Sequence, residues 1–181
     1  MYFNIKRRLI YLAFGIVAFL TAYYVGATID MDKKEAEDLK QGFTKQIKDI
    51  NQTGIFINNI KIALAMFIPA AGFGLGLFSG FSTGMVLSAL AETSHLFNNI
   101  PPLIILITPF GIMEVLAYGL AMSRSGMLIY QFVKKKSWRE YAIPTLVEIG
   151  TVIVVLLAGA IIEWQMIEQF GRFDTLTNIE L

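Results

Sequence analysis

A glycine recurs at every fourth position, Gly72, Gly76, Gly80 and Gly84, within thirty consecutive uncharged residues, Ile62–Ala91. Side chains four apart share one helix face, and a glycine row there lets a second backbone approach closely. Close van der Waals packing of this kind holds helices together in lipid, where hydrophobic burial gives no drive for association. The stripe predicts an all-α integral membrane bundle. Hydrophobic content of 55% and a mean hydropathy of +0.59 agree, being above the usual soluble range. Fifteen Lys and Arg against fourteen Asp and Glu leave a net charge of +1, which gives no reason to expect nucleic acid as a partner. The absence of cysteine excludes disulfides and thiolate chemistry, and the single His95 excludes any site needing two histidines.

Lys6, Arg7 and Arg8 precede the uncharged stretch Leu9–Ile29, which is long enough for a retained first transmembrane helix and longer than the usual apolar core of a signal peptide, the alternative for which Val25-Gly26-Ala27 is a weak cleavage candidate. Between Asp30 and Lys61, the spacing of Ala36, Leu39, Phe43, Ile47 and Ile50 predicts an amphipathic helix. Such a helix lies on its own bundle or the lipid surface, or presents a docking face. Asn51-Gln52-Thr53 fits a glycosylation acceptor, a triplet common by chance.

As one straight helix, Ile62–Ala91 would reach about 45 Å against a hydrocarbon core of about 30 Å. A break near Ser79–Ser82 would give two crossings, the second ending around Leu96–Asn99; one tilted helix is the alternative. Pro101, Pro102, Pro109 and Gly111 interrupt Ile100–Val133, which reads as a broken or re-entrant helix with its Thr108–Gly111 break facing the bundle interior. A last span, about Ile143–Ile162, leads to a tail with Glu163, Glu168, Asp174 and Glu180. The positive-inside rule puts Lys6–Arg8 and Lys134–Arg139 in the cytoplasm, with residues 30–61 and 165–181 outside. The expectation is a single membrane domain over 1–181, with about five transmembrane segments, a cytoplasmic N-terminus and a glycine-rich bundle over 62–164.

Glu114, Arg124 and Glu148 fall in or beside these apolar segments, where a lone charge costs several kcal/mol, so each is expected to have a partner. Glu114 with Arg124, or Glu148 with Arg124, would be structural pairs; a proton or ion path is the functional alternative. Gly80-Phe81-Ser82-Thr83-Gly84 matches G-x-S-x-G, but a nucleophile elbow needs a strand-to-helix turn, and helix packing explains both glycines. Metalloprotease, Walker and dinucleotide motifs are absent, and no cofactor or metal site is expected.

Ile55-Phe56-Ile57-Asn58-Asn59-Ile60-Lys61, the glycine-rich stretch after it, then Thr108-Pro109-Phe110-Gly111-Ile112-Met113-Glu114 with Gly119 and Gly126, resemble the stage II sporulation protein M family over most of the chain. The resemblance implies a prokaryotic multi-pass protein of the cell membrane with an assembly role. It carries over to Pro109, Gly111 and Glu114. Phe110 stands where the family pattern has histidine, so no role of that histidine carries over. Two readings follow: a non-enzymatic scaffold or accessory subunit whose partners are the bilayer and other subunits or a second copy, and a small permease or channel subunit using Glu114.

Overall fold

The computed structural model describes residues 5–47, 51–93, 103–135 and 137–177. Ile50, His95, the expected span end at Leu96–Asn99, Pro101, Pro102, Lys136 and Glu180 lie outside them. The described residues form helices and no strand: α1 Ile5–Ala27, α2 Lys33–Ile47, α3 Gln52–Ala65, α4 Ala71–Thr93, α5 Ile104–Ile107, α6 Pro109–Val133 and α7 Trp138–Thr177. Four of them, α1, α4, α6 and α7, are long and apolar enough to cross a membrane. α3 is shorter and carries Asn58, Asn59 and Lys61, yet it lies within the bundle against α7 and α6.

The helix directions follow from residue contacts. α4 runs parallel to α1, since Phe14 stacks on Phe73 while Gly80 and Gly84 abut the backbone at Phe19 and Tyr23. α6 runs opposite to α1: Arg8 reaches Ser123, and Phe19 packs on Tyr118 with ring centroids 5.4 Å apart. α3 runs with α6, for Asn59 bonds Glu114 and the Ser125 hydroxyl donates to the Ile68 carbonyl at 2.7 Å. α7 returns antiparallel to α6 through Arg124 and Glu148. The start of α1, the α3–α4 turn and the α6–α7 turn therefore share one end of the bundle, and both basic clusters lie there. α6 is the axis: 56% of its span is buried, against 22–28% in the other three.

The break expected near Ser79–Ser82 is not there, because α4 is continuous from Ala71 to Thr93. The Thr83 hydroxyl is satisfied within the helix, donating to the Ser79 carbonyl at 2.9 Å, so it does not end it. The chain reverses earlier, at Pro69 and Ala70. Ala70 has φ 67°, and the Gly72 N–H donates to the Ile68 carbonyl at 2.8 Å. A Cβ on Gly72 would collide with the Met66 carbonyl, so only glycine closes this turn.

The segment read as 30–61 is also divided. Asn51 caps α3, its side-chain oxygen accepting from the Gly54 N–H at 2.9 Å, so Gln52–Lys61 belongs to the bundle and not to the amphipathic helix. α2 packs on α4, its Ala36 fully buried and Leu39 and Phe43 half-buried. Its apolar face is thus covered by its own bundle. The interruption at Thr108–Gly111 is a helix start: Thr108 caps α6 by accepting from the Gly111 N–H at 3.1 Å, with Pro109 in the first turn where no N–H is needed. α7 continues through Gln165–Thr177, so the described part of the expected tail is helical.

Candidate functional site

Two groups of polar side chains lie inside the helices. The first gathers at the basic end, where α1, α6 and α7 meet. Arg8 sits on the inner stripe of α1, in register with Gly15, Phe19, Tyr23 and Gly26. Its guanidinium grips Glu148 with both arms, Nε to Oε1 at 2.6 Å and Nη2 to Oε2 at 2.8 Å. Nη1 also donates to the Ser123 hydroxyl at 2.8 Å, and Nη2 to the Leu120 carbonyl at 3.2 Å. Arg124, 1% exposed, grips the same carboxylate from α6, Nε to Oε2 at 2.7 Å and Nη2 to Oε1. Forked, bidentate geometry of this kind is the strongest a carboxylate can accept. Both oxygens of Glu148 are thus shared between two arginines.

The close approach of α1 to α6 that permits this depends on small residues. A Cβ on Gly15 would meet the Gly119 carbonyl, and one on Gly119 would meet Ile16. The glycine row of α4 makes two further approaches to α1: a Cβ on Gly80 would meet the Phe19 carbonyl at 2.9 Å, and one on Gly84 would strike the Tyr23 carbonyl. Gly76 faces the Met122 side chain of α6, while Gly72 faces its own turn at Met66.

The second group lies toward the other end. The Asn59 amide donates to Glu114 across α3 and α6. Glu163 of α7 is near enough for its charge to act on Glu114, and its Oε2 is buried without a hydrogen-bond partner among the described residues. Glu114 and Arg124 are not a pair. They stand ten residues apart on α6, about 15 Å along the axis, and Arg124 is engaged by Glu148. The alternative pairing, Glu148 with Arg124, is the one the structure contains. Ser82 and both glycines of G-x-S-x-G lie on the continuous helix α4, not on a strand-to-helix turn.

Arg8 was read from sequence only as a topological charge beside Lys6 and Arg7. The available signal was its register: seven residues before Gly15 and eleven before Phe19, it falls on the α1 face that bears the small and aromatic residues. Pro109 and Gly111 lie on the first turn of α6, where a Cβ on Gly111 would collide with the Ile105 carbonyl, and Glu114 lies on the second.

Stage II sporulation protein M is the family that matches, over residues 9–164, which takes in α1 from Leu9 onward but not Arg8, the bundle core and all but the distal part of α7. The chain belongs to this family. No curated protein and no solved structure matches it. Membership and the long apolar helices make this a multi-pass helical membrane protein, as the sequence resemblance implied.

Proposed function

We propose that this member of the stage II sporulation protein M family is a non-enzymatic membrane scaffold or accessory subunit of a cell-membrane complex, with its N-terminus in the cytoplasm. The observation that carries the reading is the Arg8–Glu148–Arg124 group, in which the charged groups of three helices are used on one another and fix the bundle. Around this fixed frame, α1, α4 and α7 turn extensive apolar faces outward, among them Phe14, Phe78, Leu146 and Val154, onto which lipid or another subunit's helix can pack. The shared end of the two basic clusters supports the cytoplasmic assignment of the N-terminus by the positive-inside rule.

Crosslinking in native membranes followed by affinity purification tests the role: the expected result is a second subunit, or a second copy, at fixed stoichiometry. Purification as a lone monomer with measurable ion flux overturns it. For the orientation, Lys34→Cys is expected to react with an impermeant thiol reagent from outside and Lys135→Cys is not; the reverse pattern inverts the topology.

The permease reading has one observation in its favour, the unpartnered Glu163 oxygen near Glu114. Under it, Glu114→Gln folds normally and abolishes pH-dependent flux in liposomes, because an amide cannot exchange the proton.

A further inference from the structure

The basic end of the bundle carries more positive charge than its own carboxylates neutralise. Two guanidinium groups share Glu148, so the buried group is left with one positive charge in excess. Around it Lys6, Arg7, Lys134, Lys135 and Arg139 are exposed, with Glu140 the exposed carboxylate among the described residues of that end. Arg7, Arg139 and Glu140 have further interactions within the chain, which leaves Lys6, Lys134 and Lys135 as the outward charges.

The two adjacent lysines occupy a fixed place. Lys134 ends α6 and Lys135 takes the left-handed conformation, φ 49°, that reverses the chain toward α7. Their backbone N–H groups donate to the Tyr130 and Phe132 carbonyls at 3.1 and 3.0 Å, so neither amide remains for an anion and only the ammonium groups can hold one. Lys134 stands over the Tyr130 ring, 5.9 Å from its centroid. Directly inward along the same helices, Tyr130, Phe132, Val133 and Ile143 are exposed apolar surface. Ammonium groups bordering such a surface match a molecule with an anionic head and a long apolar tail.

We propose that this end binds an anionic phospholipid, Lys134 and Lys135 holding its headgroup phosphate, Lys6 and the excess charge of the arginine pair adding to the field, and the acyl chains lying on the apolar faces of α6 and α7. Ammonium groups recognise charge more than headgroup shape, so anionic lipids as a class are bound in preference to zwitterionic ones. The site is independent of whether the protein is a scaffold or a permease.

The test uses full-length protein reconstituted in mixed phosphatidylglycerol and phosphatidylcholine nanodiscs, with the retained lipids counted by native mass spectrometry. Wild type is expected to retain phosphatidylglycerol above its share of the bilayer. A lysine near an anionic surface contributes roughly fivefold, so Lys134→Gln with Lys135→Gln is expected to lose roughly 25-fold of the enrichment. Lys33→Gln with Lys34→Gln, at the opposite end, is expected to keep it. Added salt should weaken the enrichment in wild type, which keeps the question decidable if the paired variant does not fold. Inorganic phosphate at constant ionic strength should leave it unchanged. No enrichment in wild type, an equal loss in the Lys33 and Lys34 variant, indifference to salt, or displacement by inorganic phosphate would each overturn the proposal, the last in favour of a free-anion site.

Discussion

The two buried polar groups are built by the same means, helices distant in sequence brought to one depth, and they differ in how far their bonding is completed. At the basic end, two arginines meet one glutamate, every oxygen of Glu148 is engaged, and a serine and a backbone carbonyl take further donors of Arg8. Toward the other end, Glu114 has Asn59, while Glu163 keeps a buried oxygen without a hydrogen-bond partner among the described residues. A saturated charge group in a low-dielectric interior is rigid, because any displacement breaks several bonds together. An unsaturated one tolerates change. Mutational damage should therefore be concentrated at the first group.

The largest effect is expected from Glu148→Gln. It leaves two guanidinium groups buried without a counter-charge, and removing one partner from a buried ionic group costs about 3–5 kcal/mol. Most folded protein should be lost, as read by size-exclusion yield and thermal unfolding. A Glu148→Gln variant as stable as wild type would end the distinction between the two groups.

Gly84→Leu should follow, since its side chain strikes the Tyr23 carbonyl and forces α4 from α1; overpacking costs about 1–3 kcal/mol and more where backbone must move. Gly150→Leu is the control, because nothing lies within 4 Å of the added Cβ, and its yield should match wild type. Equal damage in both would shift the cause from packing to insertion into lipid.

Single Arg8→Gln and Arg124→Gln substitutions should each be milder than Glu148→Gln, because the remaining arginine still neutralises the carboxylate. Combined, they strand Glu148, so the double variant should exceed the sum of the singles by about 0.5–3 kcal/mol. Additive costs would show that the two arginines do not share one partner. The smallest effect, about 1 kcal/mol or less, is expected of Glu114→Gln, whose amide oxygen still accepts from Asn59. A collapse of that variant would reverse the ranking of the two ends.

The helical membrane architecture could be read from sequence because apolar length and the four-residue glycine period are local properties of the chain. The turn between α3 and α4 was misplaced for a physical reason. Ser79, Ser82 and Thr83 look like loop residues, yet a hydroxyl in lipid can bond the preceding helical turn, while the actual breakers, Pro69 and a left-handed Ala70, lie inside a run that is apolar throughout. The choice of partner for Arg124 was open between two acids, and the α6–α7 hairpin decides it by bringing Glu148 alongside. Arg8 was the least legible. Three consecutive basic residues look alike, and only one of them lies on the stripe that faces α6.

The contact between Arg8 and Glu148 joins residues 140 positions apart. A ribosome adding about 5–20 residues per second needs roughly 7 to 30 s to supply the second after the first. Throughout that interval the arginine lacks its carboxylate, and for the first 115 residues of it the hydroxyl of Ser123 as well, and a guanidinium without partners resists entry into hydrocarbon. Until Glu148 of α7 has been made, α1 therefore lacks the partner that holds Arg8 at its buried depth. Seating of α1 is thus tied to synthesis of α7, and truncation anywhere before Glu148 leaves Arg8 without its carboxylate.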